Sequence, residues 1–327
     1  MMVTVAIIGA GMCGATLSKI LNNYANITVF EKSRGVGGRL ATRRAEPYVF
    51  DHGAQYFTAK TFEFQSFIRP LLKERVIKVW EPIVAEISGN KILRKYSWPE
   101  DTPHYVGVSS MNAVAKHFLK DSAVLLNNNI DQVVKKNNQW ELYSSGACLG
   151  SYDWVISTAP AEQSRCLLGN HIEPGFAFPN MQACYSMMLG YDKKPKVGFD
   201  VATIANKDIS WISKNHTKPH RPDNFSLLVN STNTWADKNL EIEPETAINH
   251  LYSELSEIID TKTTMPEHKA IHRWKYANIV RQDGPKYYLT KNENLAMCGD
   301  WFIKGTVESA FLSAYHLGHM ILETINT

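Results

Sequence analysis

The sequence predicts an α/β fold in which a Rossmann-like domain is interleaved with an α+β domain built on an antiparallel or mixed sheet. Two near-continuous apolar runs, "VTVAIIG" (3–9) and "DWVISTAP" (153–160), are typical of parallel strands that are covered on both faces. The segment 183–230 instead contains several strands separated by polar turns, which is typical of an antiparallel sheet. A chain of 327 residues has room for two such domains.

The Rossmann-like pattern occurs at both ends of the chain, so we expect this first domain to be discontinuous. Strand, helix and strand follow one another at the start, and strand, loop and a long helix follow Leu295. The predicted first domain comprises 1–64, 105–165 and 285–327. The predicted second domain, which would bind the substrate, comprises 65–104 and 166–284.

Composition excludes several classes of protein. A net charge of +3 is too small for a nucleic-acid-binding surface, and no run of about 18 apolar residues is present to cross a membrane. The five cysteines are scattered and never spaced as CxxC, so neither a disulfide framework nor a metal site is indicated. We expect a soluble cytoplasmic protein with no membrane or nucleic-acid partner and no metal.

A glycine motif between two predicted strands indicates a dinucleotide site. "GAGMCG" (9–14) follows the first strand and opens a helix, and Glu31 ends the next strand, twenty residues after Gly11 (31 − 11). The glycines allow a tight turn and close approach to a pyrophosphate, the helix start adds N–H groups, and the acid accepts ribose hydroxyls. The predicted contacts are Gly9, Gly11, Met12, Cys13, Gly14, Glu31 and Lys32. The alternative is a glycine-rich turn that binds no ligand.

The segment "EKSRGVGGRLATRR" (31–44) combines three glycines with four arginines. The glycines let a loop lie against a second side of the pyrophosphate, and arginines neutralise phosphate by charge-assisted hydrogen bonds. We expect Gly37, Gly38 and Arg39 to contact the cofactor; whether Arg34 or Arg44 contacts cofactor or substrate phosphate stays open. A solvated basic loop would explain the arginines but not the glycines.

These strings together resemble a known family. "GAGMCG", "GGRLATRR", "DHGAQYFTA", "HRWKYA" and "LAMCGDWFIKGTVESAFLSAY" are similar to the renalase branch of the FAD-dependent amine-oxidase-like superfamily. The resemblance covers both ends of the chain well and the middle in outline. It implies that the first domain binds FAD, and we expect non-covalent binding because no cysteine lies in a flavin-linking context.

The resemblance also implies further cofactor contacts. A Gly-Asp pair at a strand end would bind the ribityl or pyrophosphate part of FAD, and the helix after it would point its N-terminus at the flavin, where its partial positive charge stabilises the anionic reduced ring. The segment 52–55 would run beside the flavin ring, and a strand pair would lie beside the adenine. Ser309 and Ala314 stand where the family commonly has glycine. The implied residues are Gly299, Asp300, Thr306, Val307, Glu308, His52, Gly53, Ala54, Gln55 and Val133.

For the substrate we expect aromatic walls that hold a planar ring for hydride transfer. The candidates are His272, Trp274, Tyr276, Trp301 and Tyr185. The alternative is that these aromatic residues belong to the core.

The activity that the resemblance implies is that of an FAD-dependent oxidase. Its substrates would be dihydronicotinamide isomers, 2- or 6-dihydro-NAD(P), oxidised to NAD(P)+ by hydride transfer to flavin N5, with O2 as oxidant and H2O2 as product. Such a substrate becomes aromatic when it loses hydride and needs no base, and no catalytic base motif is evident in the sequence. The alternatives are a flavin amine oxidase acting on a small amine and a non-catalytic dinucleotide-binding protein.

Overall fold

The structure, a computed structural model, describes residues 2–259, 264–290 and 293–325. The helices are α1 (Met12–Leu21), α2 (Phe62–Lys73), α3 (Ala113–Leu119), α4 (Ala161–Leu168), α5 (Asn233–Lys238), α6 (Pro244–Ser256) and α7 (Val307–Ile325). The strands are β1 (Val3–Ile8), β2 (Ala25–Glu31), β3 (Arg43–Ala45), β4 (Tyr48–Phe50), β5 (Ile77–Val79), β6 (Val84–Ser88), β7 (Lys91–Tyr96), β8 (Tyr105–Gly107), β9 (Ala123–Leu126), β10 (Gln132–Lys136), β11 (Gln139–Ser144), β12 (Ala147–Tyr152), β13 (Trp154–Ser157), β14 (Gln182–Tyr191), β15 (Val201–Ala205), β16 (Ile209–Lys214), β17 (Phe225–Ser231), β18 (His268–Asn278), β19 (Tyr287–Leu289) and β20 (Leu295–Cys298).

The chain divides into two compact units. The first unit comprises Met1–Arg39, Val114–Met181 and Ile279–Thr327, and the second comprises Leu40–Ala113 and Gln182–Asn278. Within the described ranges, no helix is long and apolar enough to cross a membrane.

The unit boundaries differ from the predicted domain boundaries. Segments 40–64 and 105–113, predicted for the first domain, belong to the second unit, whereas 166–181 and 279–284 belong to the first. The 40–64 segment forms the β3–β4 hairpin, whose Phe50 packs in one apolar cluster with Met188 and Leu228 of the second unit. Strand patterns in a sequence show where strands occur but not which sheet they join, so these boundaries depend on tertiary packing.

A largely parallel sheet forms the centre of the first unit. Its strand order is β19-β20-β13-β1-β2-β9, and β19 alone runs antiparallel to its neighbour among these strands. Alternate residues of β1 face different layers: Ile7 lies against the start of α1, whereas Ala6 and Ile8 share an apolar cluster with Trp140 of the β10-β11-β12 sheet. Because both faces are covered, the strand is apolar along almost its whole length.

A mostly antiparallel sheet forms the second unit, with strand order β18-β14-β17-β16-β15-β6-β7. Among the strands that the structure describes in this sheet, only β15 and β6 are paired in parallel. One face packs against α5 and α6 in an apolar cluster that includes Met187, Trp235 and Leu251. We call this the back face and the opposite one the front face.

The front face is covered at one end by the β3–β4 hairpin. Tyr48 and Phe50 pack there against Met188 and Leu228. Two residues further along these strands, polar side chains replace the apolar ones: Ser186 on β14 and Asn230 on β17 are paired in register. The hairpin therefore seals one end of the front face and leaves polar groups beyond it.

Candidate functional site

The turn between β1 and α1 has the geometry that the glycine motif predicts. Gly9 has φ of +112°, a conformation that strains other residues, and a Cβ on Gly14 would lie 2.0 Å from the Gly9 carbonyl oxygen. Gly11 caps α1 and has no side-chain oxygen to accept from the N–H groups of the first turn, which begins with Met12 and Cys13. These N–H groups have no partner within a helix and can bind an anion.

Glu31 lies at the end of β2, where its carboxylate is buried and held by the backbone. One oxygen accepts a hydrogen bond from the Ala10 N–H at 2.9 Å and the other accepts from the Ser33 N–H at 2.8 Å. Each carboxylate oxygen keeps a further lone pair that could accept from a ribose hydroxyl. The neighbouring Lys32 is exposed and donates to the Gln163 side chain at 3.2 Å.

The second glycine loop docks on the first. The Gly37 N–H donates to the Ala10 carbonyl oxygen at 2.8 Å, and a Cβ on Gly38 would lie 3.2 Å from the Gly11 Cα. The two loops therefore approach each other backbone to backbone. The segment "SRGVGG" (33–38) thus lies against the β1–α1 turn, and we call these two loops together the glycine turn.

Arg39 and Asp300 join the two ends of the chain within the first unit. Their side chains form a bidentate ion pair, with one N···O distance of 2.8 Å. Asp300 follows Gly299 at the end of β20 and is buried. Arg39 thus already has a protein partner, which sets the position of its guanidinium beside the glycine loops.

The helix that follows begins where the sequence predicts. Thr306 precedes α7, and its hydroxyl oxygen accepts from the Ser309 N–H at 3.2 Å and lies 2.7 Å from the Ser309 hydroxyl. Val307 and Glu308 form the start of the helix. Ser309, which stands in place of a family glycine, therefore takes part in the helix cap.

Val133 is a buried residue of β10 and belongs to the apolar cluster of the first unit. Trp301 belongs to the same cluster and is 1% exposed, with its indole N–H donating to the Ala159 carbonyl oxygen at 3.0 Å. Its ring also packs so closely on Gly299 that a Cβ there would lie 2.4 Å from Trp301 Nε1. Trp301, predicted as a substrate wall, thus has its ring and its indole donor in the core of the first unit.

His52, His272 and Trp274 form one aromatic cluster in the second unit. The His52 ring stacks on Trp274 with centroids 5.3 Å apart, His272 meets the Trp274 ring at 4.2 Å, and the Trp274 indole donates to the His52 carbonyl oxygen at 2.8 Å. Burial, aided by the positive charge of Arg43, lowers the pKa of each histidine to about 4. Both imidazoles are therefore neutral at physiological pH. Tyr276 is half-buried two residues further along β18.

Tyr185 lies on the other face of the sheet. It is paired with Arg273, whereas Ser186 is paired with His272, so Tyr185 and His272 point to opposite faces. The Tyr185 hydroxyl donates to the Asn239 carbonyl oxygen at 2.9 Å inside the cluster with α5 and α6. Its predicted place behind the aromatic wall is therefore a core position.

A buried charge cluster around Asp51, directly before His52, was not predicted from the sequence. The Asp51 carboxylate accepts from Lys218 at 3.2 Å and from Arg221 at 2.7 Å, and all three side chains are fully buried. Burial alone would raise the pKa of Asp51, but the two cations hold it at about 2. Burial lowers the pKa of Lys218 to about 8 although Asp51 opposes that shift. The segment "HTKPHRPDN" (216–224) is one of the polar turns predicted within 183–230, and charged residues of turns are usually exposed.

Gln55 braces the loop that carries His52, Gly53 and Ala54. Its side-chain nitrogen donates to the Asp51 carbonyl oxygen at 2.5 Å and the Gly53 carbonyl oxygen at 3.0 Å. Its side-chain oxygen accepts from the Ser213 hydroxyl at 2.8 Å. Both polar atoms of the Gln55 amide are hydrogen-bonded within the protein, so Gln55 stabilises the conformation of this loop.

Two sequence comparisons agree with this geometry. Residues 7–72 match the family described as an NAD(P)-binding Rossmann-like domain. Renalase of Mus musculus is 24% identical over 339 aligned residues, which cover 95% of this chain and 96% of that protein.

Solved structures of similar fold cover almost the whole chain. A putative protoporphyrinogen oxidase from Exiguobacterium sp. 255-15 has a TM-score of 0.79 at 11% identity, with 98% of this chain and 99% of that chain covered. An oxidoreductase from Methanosarcina mazei has a TM-score of 0.72 at 12% identity, with coverage of 96% and 99%. A putrescine oxidase solved with putrescine has a TM-score of 0.70 at 12% identity, with coverage of 98% and 99%.

These matches bear on different predictions. The renalase match confirms the predicted resemblance and the predicted class, an FAD-dependent oxidoreductase. The Rossmann-like family and the solved structures confirm the predicted fold class.

Proposed function

We propose that this protein is a renalase-like FAD-dependent oxidase that converts 2- or 6-dihydro-NAD(P) to NAD(P)+. The chemistry that bound FAD supplies is acceptance of a hydride at flavin N5 followed by reduction of O2 to H2O2. The first unit would hold the cofactor and the front face of the second unit would take the nicotinamide ring.

The first unit fits the dinucleotide part of FAD. Backbone at Gly11 and Gly38 is bare, and a Cβ on Gly38 would enter the space between the two loops. The start of α1 offers N–H groups to the pyrophosphate, and Glu31 offers oxygens to the ribose hydroxyls. The Arg39–Asp300 pair would form one side of the proposed FAD site. The start of α7 at Val307 would place a partial positive charge toward the flavin.

The charge around the His52–His272–Trp274 cluster is the observation that carries the choice of substrate. Burial is the main cause of the low pKa of about 4 of each histidine, Arg43 lowers both values further, and the Asp51 carboxylate is neutralised by its own buried partners. The cluster is thus neutral with a positive charge beside it. Such surroundings favour an anionic dinucleotide and disfavour an ammonium ion.

The acid–base properties of the same cluster argue against an amine oxidase. A protonated amine must lose its proton before hydride leaves, and a base works best when its pKa lies near the working pH. The imidazoles of His52 and His272 have pKa values of about 4, so they are poorly matched to that task. A dihydronicotinamide needs no proton removal, so Trp274 and His272 would only have to position the ring.

The experiment is anaerobic mixing of the purified yellow protein with each class of substrate. We expect 6-dihydro-NAD to bleach the flavin absorbance rapidly, and readmitted O2 to restore it with one H2O2 formed per NAD+. Primary amines and putrescine should leave the spectrum unchanged. Bleaching by the amines alone would establish the amine oxidase, and a coloured protein that no hydride donor bleaches would establish a non-catalytic binding protein.

Cofactor attachment is tested in the same preparation by acid precipitation. We expect the yellow colour to appear in the supernatant because binding is non-covalent. The two cysteines nearest the glycine turn support this: Cys13 and Cys298 are buried with their sulfur atoms 3.4 Å apart, and burial raises the pKa of Cys13 well above its usual value. A thiol in that state is a poor nucleophile toward a flavin.

A further inference from the structure

A row of hydrogen-bonding side chains crosses the front face of the second unit at one register position. His272 on β18 is paired with Ser186 on β14, Ser186 with Asn230 on β17, and Asn230 with Trp211 on β16. Directly paired residues in neighbouring strands lie side by side on the same face. We call these four residues the polar row.

The polar row stands next to apolar surroundings. Two residues away along the same strands and on the same face, Ala270, Met188 and Leu228 are packed under the β3–β4 hairpin. A polar row on such a face costs free energy unless its groups find partners. The three half-buried members, His272, Asn230 and Trp211, are therefore expected to serve a ligand.

Two donors of the polar row have no hydrogen-bond partner among the residues that the structure describes. The Trp211 indole N–H is buried and makes no hydrogen bond to any residue that the structure describes. The Ser186 hydroxyl donates to Asn230 Oδ1 at 2.8 Å, which sets the amide so that its Nδ2 group is the free end among the described residues. Asn230 is half-buried, so this nitrogen is accessible to a ligand.

We propose that Asn230 and Trp211 recognise the carboxamide oxygen of the nicotinamide ring. This inference rests on the proposed function. Both donors are uncharged and belong to residues paired in register on adjacent strands, whose backbones lie about 5 Å apart, so both side chains can reach the same ligand group. Tyr56 packs on Trp211 with centroids 5.8 Å apart and orients the indole, and Ser186 is a positioning residue that orients Asn230.

The test measures binding of three oxidised dinucleotides to the flavin-loaded protein by calorimetry. The probes are NAD+, its 3-acetylpyridine analogue, which keeps the carbonyl but lacks the amide nitrogen, and its 3-methylpyridine analogue, which lacks the carbonyl. We expect the first two to bind with affinities within about 3-fold of each other and the third at least about 10-fold more weakly, the range that one or two neutral hydrogen bonds produce.

Variants then assign the effect to the row. Asn230→Ala and Trp211→Phe should each weaken the two carbonyl probes by about 3- to 10-fold and leave the methyl probe unchanged. Ser186→Ala should reduce the preference for carbonyl probes in the same direction. Asn23→Ala, the same chemical change at an exposed turn between α1 and β2, is the matched control and should leave binding of all three probes unchanged. Flavin content and Tm of each variant report folding.

The outcomes separate this inference from the proposed function. If 6-dihydro-NAD bleaches the wild-type flavin but the Asn230 and Trp211 variants bind all three probes as wild type does, the row does not read the carbonyl and the oxidase assignment stands. Equal binding of the methyl and carbonyl probes to the wild type also overturns the inference. Failure of 6-dihydro-NAD to bleach the flavin removes the proposed function by a separate measurement.

Discussion

The two units present different kinds of surface to a ligand. In the first unit the groups around the glycine turn are mainly backbone, because Gly9, Gly11 and Gly38 have no side chains where the two loops meet. On the front face of the second unit the groups are side chains, such as Asn230 and Trp211, that come from different strands. A site formed by backbone groups is encoded by consecutive residues and can be recognised as a sequence motif. A site formed by side chains from several strands depends on strand register.

The largest expected loss of stability comes from removing a buried carboxylate of the second unit. Asp51→Asn leaves Lys218 and Arg221 buried without their carboxylate, and removing one partner of a buried pair costs about 3–5 kcal/mol. We expect the free energy of unfolding in urea to fall by that amount. Arg94→Gln breaks an exposed pair with Glu86 and should cost less than about 1 kcal/mol. Equal losses in the two variants would contradict the distinction.

The pH dependence of stability tests the buried histidines of the second unit. His52 and His272 have pKa values of about 4 in the folded protein and 6.5 ordinarily, so between these values the unfolded chain binds protons that the folded protein does not. Their contribution is complete above pH 6.5 and is lost as the pH falls toward 4.

We expect this loss to be about 2 kcal/mol for the pair, after allowance for solvent screening. Urea unfolding at pH 7 and pH 4.5 measures it, and the double variant His52→Gln/His272→Gln should lose less stability over the same interval. An identical pH dependence in the double variant would refute the assignment to these two histidines.

Gly11→Ala tests the backbone character of the first unit. The nearest protein atom to a Cβ at Gly11 is the Gly38 Cα at 4.0 Å, and its φ is −79°, so the protein accommodates alanine. We expect unchanged unfolding of the apoprotein but at least about 10-fold weaker FAD binding, or about 1.4 kcal/mol. Gly14→Ala is the contrasting control, because its Cβ would collide with the Gly9 carbonyl oxygen and destabilise the fold itself. Unaltered FAD affinity in Gly11→Ala would mean that the cofactor does not approach this turn.

Two tryptophans offer the finest comparison between the units. Trp301→Phe and Trp274→Phe each remove one indole hydrogen bond to a carbonyl oxygen, of Ala159 and His52 respectively, so each should cost about 1 kcal/mol of stability. Only Trp274→Phe should change the rate of anaerobic flavin bleaching by 6-dihydro-NAD. A bleaching defect in the Trp301 variant with normal flavin content would restore that residue to the substrate site.

The sequence by itself determined the fold class, the first βαβ unit and the turn between β1 and α1. Gly9, Gly14 and Glu31 work together because a tight turn, a helix start and a strand end follow one another in the chain. Local chemistry dictates each of these features, and no distant residue is needed to place them. The start of α7 after Thr306 was predictable for the same reason.

Only the tertiary structure decided which distant side chains meet. The partners of Asp51 lie 167 and 170 residues away. The face on which Tyr185 lies was not legible, because β14 is apolar on both faces: Met187 packs against the helices and Met188 against the hairpin. Alternation identifies a buried face only when the other face is solvated. When a strand is covered on both faces, its sequence does not show which residues face which side. The residues that line the front face could therefore not be predicted from the sequence.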